Sequence, residues 1–452
     1  MINCFWQIQR GLKRCGQKLG SLGSKKWKFR RTNNGSVDSS SMDGPVAVVS
    51  HTFSPDLNGQ AVVLGRLLEG MPAVVRISSA RFWSPNHVPG FINENVSPPW
   101  AIRKMRKLKF LESSVFGFHV RNRAQKIARA LVRHNCSAVV ACTGGDLVDL
   151  PAALIAAERV EIPCVLHYFD DYRSLWKIPI PAWSMRWMQQ NGSAIEAQIL
   201  RKAAGIVVPN EFLRADLAER VDLRAIIIRN PVNLSAYENL RSSVSERQEG
   251  ASRSWRLTYT GSIYEAQLDA VCNCARGLEL LNDRGISMQL HLYTSQSEKF
   301  LHSQGIPRSV RIHPAVKPME ASRLQCESDF LLLPLAFKTR YPELIRTSSP
   351  GKMGEYLAAG RPILVHAPAD SFVAKFASDH RCGFVNDKLD VSQIAKDLER
   401  LVREPHLRAE LSNRAIASSL QFSESLNRDE YFRFIRESRV SQPMTQTSLR
   451  CA

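Results

Sequence analysis

From Pro45 onward, short apolar runs alternate with longer stretches whose apolar residues recur at helical spacing. PVAVVS (45–50), PAVVRIS (72–78), AVVACT (138–143), PCVLHY (163–168), GIVVP (205–209) and AIIIRN (225–230) read as strands. Because they lack polar alternation, they must be covered on both faces, which is the pattern of a parallel sheet. Helical segments intervene, such as HVRNRAQKIARALVRH (119–134), with Val120, Ile127, Leu131 and Val132 near one face. Together they predict a doubly wound α/β domain over residues 44–238.

The polar, aperiodic NLRSSVSERQEGASRS (239–254) reads as a linker. A second series of strands then follows: RLTYTGS (256–262), MQLHLYT (288–294), VRIHP (310–314), DFLLLPL (329–335), RPILVHA (361–367) and CGFV (382–385). The helix AQLDAVCNCARGLELLNDRG (266–285) has Gly285 as its stop. This predicts a second α/β domain over 255–425, with 426–452 as a C-terminal helix and tail able to cross back. The expected architecture is two doubly wound, Rossmann-like domains facing across a cleft. In such sheets ligands sit beyond the carboxyl ends of the strands.

Residues 1–43 break the pattern. Lys25, Lys26, Lys28, Arg30 and Arg31 crowd around Trp27 and Phe29, and nothing there can build a core, so this leader is expected to be disordered. A basic stretch with interleaved aromatics adsorbs to anionic membrane. WAIRKMRKLKFLESSVFGF (100–118) has the same character, with Arg103, Lys104, Arg106, Lys107 and Lys109 among apolar residues. No apolar stretch reaches the roughly 18–20 residues needed to span a bilayer. A cytoplasmic protein, peripheral on the inner face of a membrane, is the expectation.

The formal net charge of +19 favours anionic partners of any kind. No nucleic-acid-binding motif accompanies it, so nucleic acid is not an expected partner. The ten cysteines are scattered and form no C-x-x-C or Cys/His spacing, which points to a reducing compartment and away from zinc.

The chemistry concentrates in TSSPGKMGEYLAAGRPILVHAPADS (347–371). Ser348, Ser349, Pro350 and Gly351 make a turn that offers free amides at a helix start, where a phosphate is stabilised. Lys352 puts a cation in the first turn, against the helix dipole, and an anionic ligand explains it. Glu355, one turn on, is placed to accept ribose hydroxyls. Asp170 and Asp171 are adjacent and lack D-x-D spacing, so no metal is expected there.

This segment resembles the signature of the family 4 glycosyltransferases, a retaining group with the GT-B fold. TYTGSIYEA (258–266), IVVPNEFLRADL (206–217) with IIIRNPVNL (226–234), and VVSHTFSPDLNGQA (48–61) extend the resemblance over most of residues 45–420. It implies transfer of a sugar from a nucleotide-diphosphate sugar to a glycan or lipid-linked acceptor, in surface polysaccharide or glycoconjugate synthesis, without a cofactor. It makes Glu355 the second Glu of the E-x7-E motif, on the nucleotide ribose, and puts Gly261 and Ser262 at the donor diphosphate. By the same resemblance Gly59 matches a loop glycine that faces the reaction centre, and His167 matches a histidine that often contacts the donor sugar.

Two departures stand out. Thr347 occupies the place of the first Glu of E-x7-E, which leaves sugar selectivity open. The Arg and Lys that usually follow the TGS-like loop are absent, and Glu265 stands there. Lys338, Arg340, Arg346 and Lys352 are the cations that can neutralise the diphosphate from across the cleft. A GT-B sugar-nucleotide epimerase and a non-catalytic polyanion-binding protein on a decayed scaffold remain as alternatives.

Overall fold

The computed structural model describes residues 44–54, 58–71, 73–79, 91–97, 111–144, 147–177, 186–222, 224–244 and 254–440. Two parallel sheets organise them. The first comprises β1 (Val46–Ser50), β2 (Val74–Ser78), β3 (Ile92–Asn95), β4 (Ala138–Cys142), β5 (Cys164–His167), β6 (Gly205–Val208) and β7 (Ala225–Ile227), in the order β3-β2-β1-β4-β5-β6-β7. The second comprises β8 (Trp255–Thr260), β9 (Met288–Thr294), β10 (Arg311–Pro314), β11 (Phe330–Pro334), β12 (Ile363–His366) and β13 (Phe384–Asn386), in the order β10-β9-β8-β11-β12-β13.

Every predicted strand forms, and β1, β4 and β11 are buried along their whole length, as an apolar run covered on both faces must be. The strand absent from the sequence reading is β3. Its sequence, Ile-Asn-Glu-Asn, lies at the sheet edge with β2 as its one neighbour, so no apolar run marks it. The predicted helix over 119–134 runs from Glu112 to Arg133. Val120, Ile127 and Leu131 are buried as expected, but Val132 is 43% exposed and lies off the core face.

Asparagine starts three helices that matter for the site. Asn58, Asn210 and Asn233 cap Gly59–Leu68, Glu211–Ala218 and Leu234–Ser243, each accepting an amide three residues on. Such caps contribute about 1 kcal/mol each.

The chain leaves the first domain earlier than the linker at 239–254 implied. Helix Leu234–Ser243 packs on the second domain: Tyr237 joins its core, and Arg241 donates to the Ala358 carbonyl. The crossing is the extended segment after β7. There Val232 pairs with the return segment, its N–H donating to Phe422 O at 2.7 Å and its carbonyl accepting from Glu424 N at 3.0 Å. Gly354 records how tightly these layers meet, because a Cβ there would lie 2.7 Å from Phe422 and 2.9 Å from Val232.

The C-terminal helix Glu424–Val440 does cross back, as anticipated. Tyr431, Phe434 and Ile435 enter the core of the first domain. Among the described residues no helix is long and apolar enough to cross a membrane, and every cysteine is free and buried. Residues 1–43 and 100–110, on which the membrane-surface expectation rested, lie outside the described residues.

Candidate functional site

In the second sheet the chain steps outward from β8 to β9 and β10, then returns to β11 on the other side of β8. A crevice opens at such a switch point, beyond the carboxyl ends of β8 and β11. The Gly261–Ser262 turn follows β8 directly. Gly261 has φ +131°, a conformation that side chains rarely adopt, and its N–H donates to Tyr293 O at 2.8 Å. A Cβ on Gly261 would lie 3.1 Å from Lys352 Cε and 3.2 Å from its Nζ. The ammonium therefore occupies the space a side chain at Gly261 would need, 5.0 Å from the Tyr259 ring centre.

Lys352 belongs to the first turn of helix Gly351–Ala359, which starts at an extended Pro350 with no side-chain cap and stops at a left-handed Gly360. Ser349 Oγ, just ahead of this helix, is buried without a hydrogen bond. An uncapped helix start, a glycine turn and an ammonium so converge on one point, and the orphan donors there suit an anion.

The first domain holds this turn in place. Asn210 Nδ2 donates to Thr347 O at 2.8 Å, while the same residue caps its own helix. Asn230 Nδ2 donates to Ser349 O at 2.7 Å. Arg346 pairs with Asp216, and Lys177 reaches Glu343 at 3.5 Å. The motifs IVVPNEF and IIIRNPVNL thus contribute asparagines that fix the backbone of the Ser-Ser-Pro-Gly turn from the opposite lobe. Their side-chain amides were the one signal in those stretches that the sequence reading passed over.

Several of the remaining predicted diphosphate ligands have partners within the protein. Arg340 is paired with Glu265 at 3.0 Å, and Arg346 is spent on Asp216, so neither stands free at the glycine turn. The backbone N–H of Lys338 donates to Asp269 at 2.7 Å. The Ser348 N–H donates to Ile345 O, and Ser262 Oγ lies 3.2 Å from Ser295 Oγ. Thr347 is buried, and its hydroxyl donates to Glu343 O at 2.9 Å. Glu355 carries an ion pair with Arg66 of the first domain, Nη2 to Oε1 at 2.9 Å. Nothing in the sequence marked Arg66.

In the first sheet the switch point lies between β1 and β4. Gly59 begins its helix there with open space around it. Asn58 Nδ2 reaches Thr52 Oγ1 at 2.7 Å, and Gln60 Nε2 reaches Ser50 Oγ at 3.0 Å. His167, at the end of β5, is buried instead of lining the cleft. Its Nδ1 lies 3.3 Å from Tyr431 Oη, and its ring stacks on Phe169 with centres 4.2 Å apart. Burial pulls its pKa down to about 3, so the imidazole is neutral at physiological pH. The histidine joins the crossing helix to β5.

Asp171 caps the short helix that follows β5 and accepts from Arg220 at 3.1 Å. Asp170, beside it, has no such partner, and burial together with the Asp171 charge pushes its carboxyl up to about 6. The folded protein therefore keeps this proton to about pH 6, whereas an unfolded chain releases it near pH 4. The group destabilises the fold progressively as pH rises from about 4 to 6. Asp170→Asn is expected to raise Tm at pH 7.5 and to change it little at pH 4. Equal changes at both pH values in thermal unfolding would contradict this. Among the described residues no three His, Cys, Asp or Glu side chains gather as a metal site.

No protein-family model and no curated protein sequence matches the chain. Solved structures do. A UDP-forming trehalose-phosphate synthase from Burkholderia xenovorans superposes with TM-score 0.63 at 13% identity, covering 88% of this chain and 100% of that one. Sucrose-phosphate synthase from Thermosynechococcus elongatus gives 0.62 at 12%, over 88% and 100%. An Anabaena protein solved with UDP and glucose gives 0.59 at 12%, again over 88% and 100%. The chain has the GT-B fold. At this identity the likeness is one of architecture, and the residues must carry the rest. Lys352 lies at the β8/β11 switch point of the second sheet, and Gly59 at the β1/β4 switch point of the first.

Proposed function

We propose that this GT-B protein is a glycosyltransferase that takes a nucleotide-diphosphate sugar in its second domain and passes the sugar to an acceptor held by the first. The observation that carries this reading is the Lys352 ammonium lying 3.2 Å from the Cβ position of Gly261, at the uncapped start of its helix. In sugar transfer the bond from the anomeric carbon to the diphosphate breaks and its electron pair leaves with the phosphate. Charge grows on that oxygen, and preorganised donors and cations aimed there lower the barrier. Lys352, the first amides of the helix and the glycine turn are such a set, and Glu355 is placed to take the ribose.

The solved relatives that hold UDP and glucose, or UDP-2-fluoro-glucose, make UDP-sugars the first donors to try. The resemblance of residues 347–371 to family 4 adds retention at the anomeric carbon and a glycan or lipid-linked acceptor to the proposal.

The test is a thermal-shift panel of nucleotide sugars, followed by product analysis for the anomer formed. A donor present at 100 times its Kd stabilises the protein by about 2.7 kcal/mol, which is readily seen. A panel in which no nucleotide-diphosphate sugar shifts Tm would remove the reading.

A further inference from the structure

The ion pair between Arg66 and Glu355 joins the two lobes at the carboxylate assigned to the ribose, and nothing in the reaction as described uses the arginine. Arg66 stands in the last turn of helix Gly59–Leu68. Its Nη2 donates to Glu355 Oε1 at 2.9 Å and its Nη1 to the Pro231 carbonyl on the crossing segment at 2.8 Å. Two bonds from one planar fork fix the guanidinium in orientation as well as position. Its own carbonyl is held too, accepting from Arg428 Nε and Nη2 of the crossing helix at 3.2 and 2.9 Å, and Arg428 is paired with Glu424. Both Arg66 and Glu355 are about four-fifths buried, at 23% and 22% side-chain exposure, so the pair is screened less than a surface ion pair.

Among the described residues, none donates a hydrogen bond to the second oxygen of Glu355, Oε2. We propose that Arg66 is a positioning residue for the nucleotide: it holds one oxygen of Glu355 so that the other is presented to the ribose. This rests on the reading of Glu355 as the ribose carboxylate and adds a coupling to it. The helix that carries Arg66 at its end carries Gly59 at its start, in the acceptor lobe. Donor affinity is therefore tied to the seating of the acceptor lobe on the crossing segment. A shift of that helix would release Glu355 before it disturbed the phosphate turn.

The experiment is a double-mutant cycle on the full chain, with UDP and GDP titrated by calorimetry and Tm recorded for each variant. Arg66→Gln should weaken binding of the accepted nucleotide about 5- to 10-fold, and Arg66→Lys, which keeps the charge but not the fork, should recover part of the loss. In a Glu355→Gln background, Arg66→Gln should lower Tm again but leave Kd unchanged, which a merely structural arginine would not do. Equal losses of affinity in both backgrounds, or none in the first, would overturn the proposal while leaving the donor site standing. If Arg66→Gln does not fold, the comparison of Arg66→Lys in the two backgrounds decides in the same way. A Glu355→Gln variant that binds like the parent, or a parent that binds neither nucleotide, would remove the ribose reading itself and this proposal with it.

Discussion

Lys352→Ala is expected to lower kcat/KM for sugar transfer by about 100- to 1000-fold, the range found when one preorganised charge-stabilising donor is removed. The size follows from the place of Lys352 against the Gly261 turn at the start of its helix. Arg340 and Arg346 are committed to Glu265 and Asp216. The same substitution should not weaken the fold. A lysine in the first turn opposes the helix dipole, which costs about 0.3–1 kcal/mol, so Tm should hold or rise slightly. Opposite signs for activity and stability are the signature of a residue kept for its ligand. Steady-state kinetics beside thermal unfolding would check both halves, and a variant that loses activity only in proportion to lost Tm would contradict the assignment.

Glu355→Ala carries the second large effect. Hydrogen bonds to a charged group contribute about 1.5–3 kcal/mol, so losing the ribose carboxylate should weaken nucleotide affinity about 10- to 100-fold. The cost to the fold should be modest, because Arg66 keeps its bond to the Pro231 carbonyl and retains some exposure to water. Calorimetric titration of the variant with the accepted nucleotide reads the change directly. Unaltered affinity would mean that the ribose lies elsewhere.

Much of the frame was legible because its determinants are local. Apolar runs such as AVVACT can be satisfied only between two covering layers, so β4 and its neighbours followed from pattern alone. The turn chemistry of Ser348, Ser349, Pro350 and Gly351 likewise marked the start of the helix that carries Lys352 and Glu355. What stayed hidden depends on partners distant in sequence. Arg66 lies 289 residues from Glu355, and no spacing rule connects them. Residues 239–243 have the polar look of a linker, yet they end the helix Leu234–Ser243, whose Tyr237 finds a core in the second domain. His167 sits at the strand end where the resemblance put it, but Tyr431 from the crossing helix covers it, a contact 264 residues long in sequence. The two asparagines that hold the Ser-Ser-Pro-Gly turn stand inside motifs quoted for the resemblance, and only the folded chain shows what their amides hold.

The central claim is the location of the anion. A crystal structure of the chain soaked with the nucleoside diphosphate that binds it would test that claim most directly. The account expects the distal phosphate between the Gly261 backbone and the Lys352 ammonium, with the ribose hydroxyls on Glu355. A diphosphate held elsewhere, with Lys352 still resting on an empty glycine turn, would contradict it.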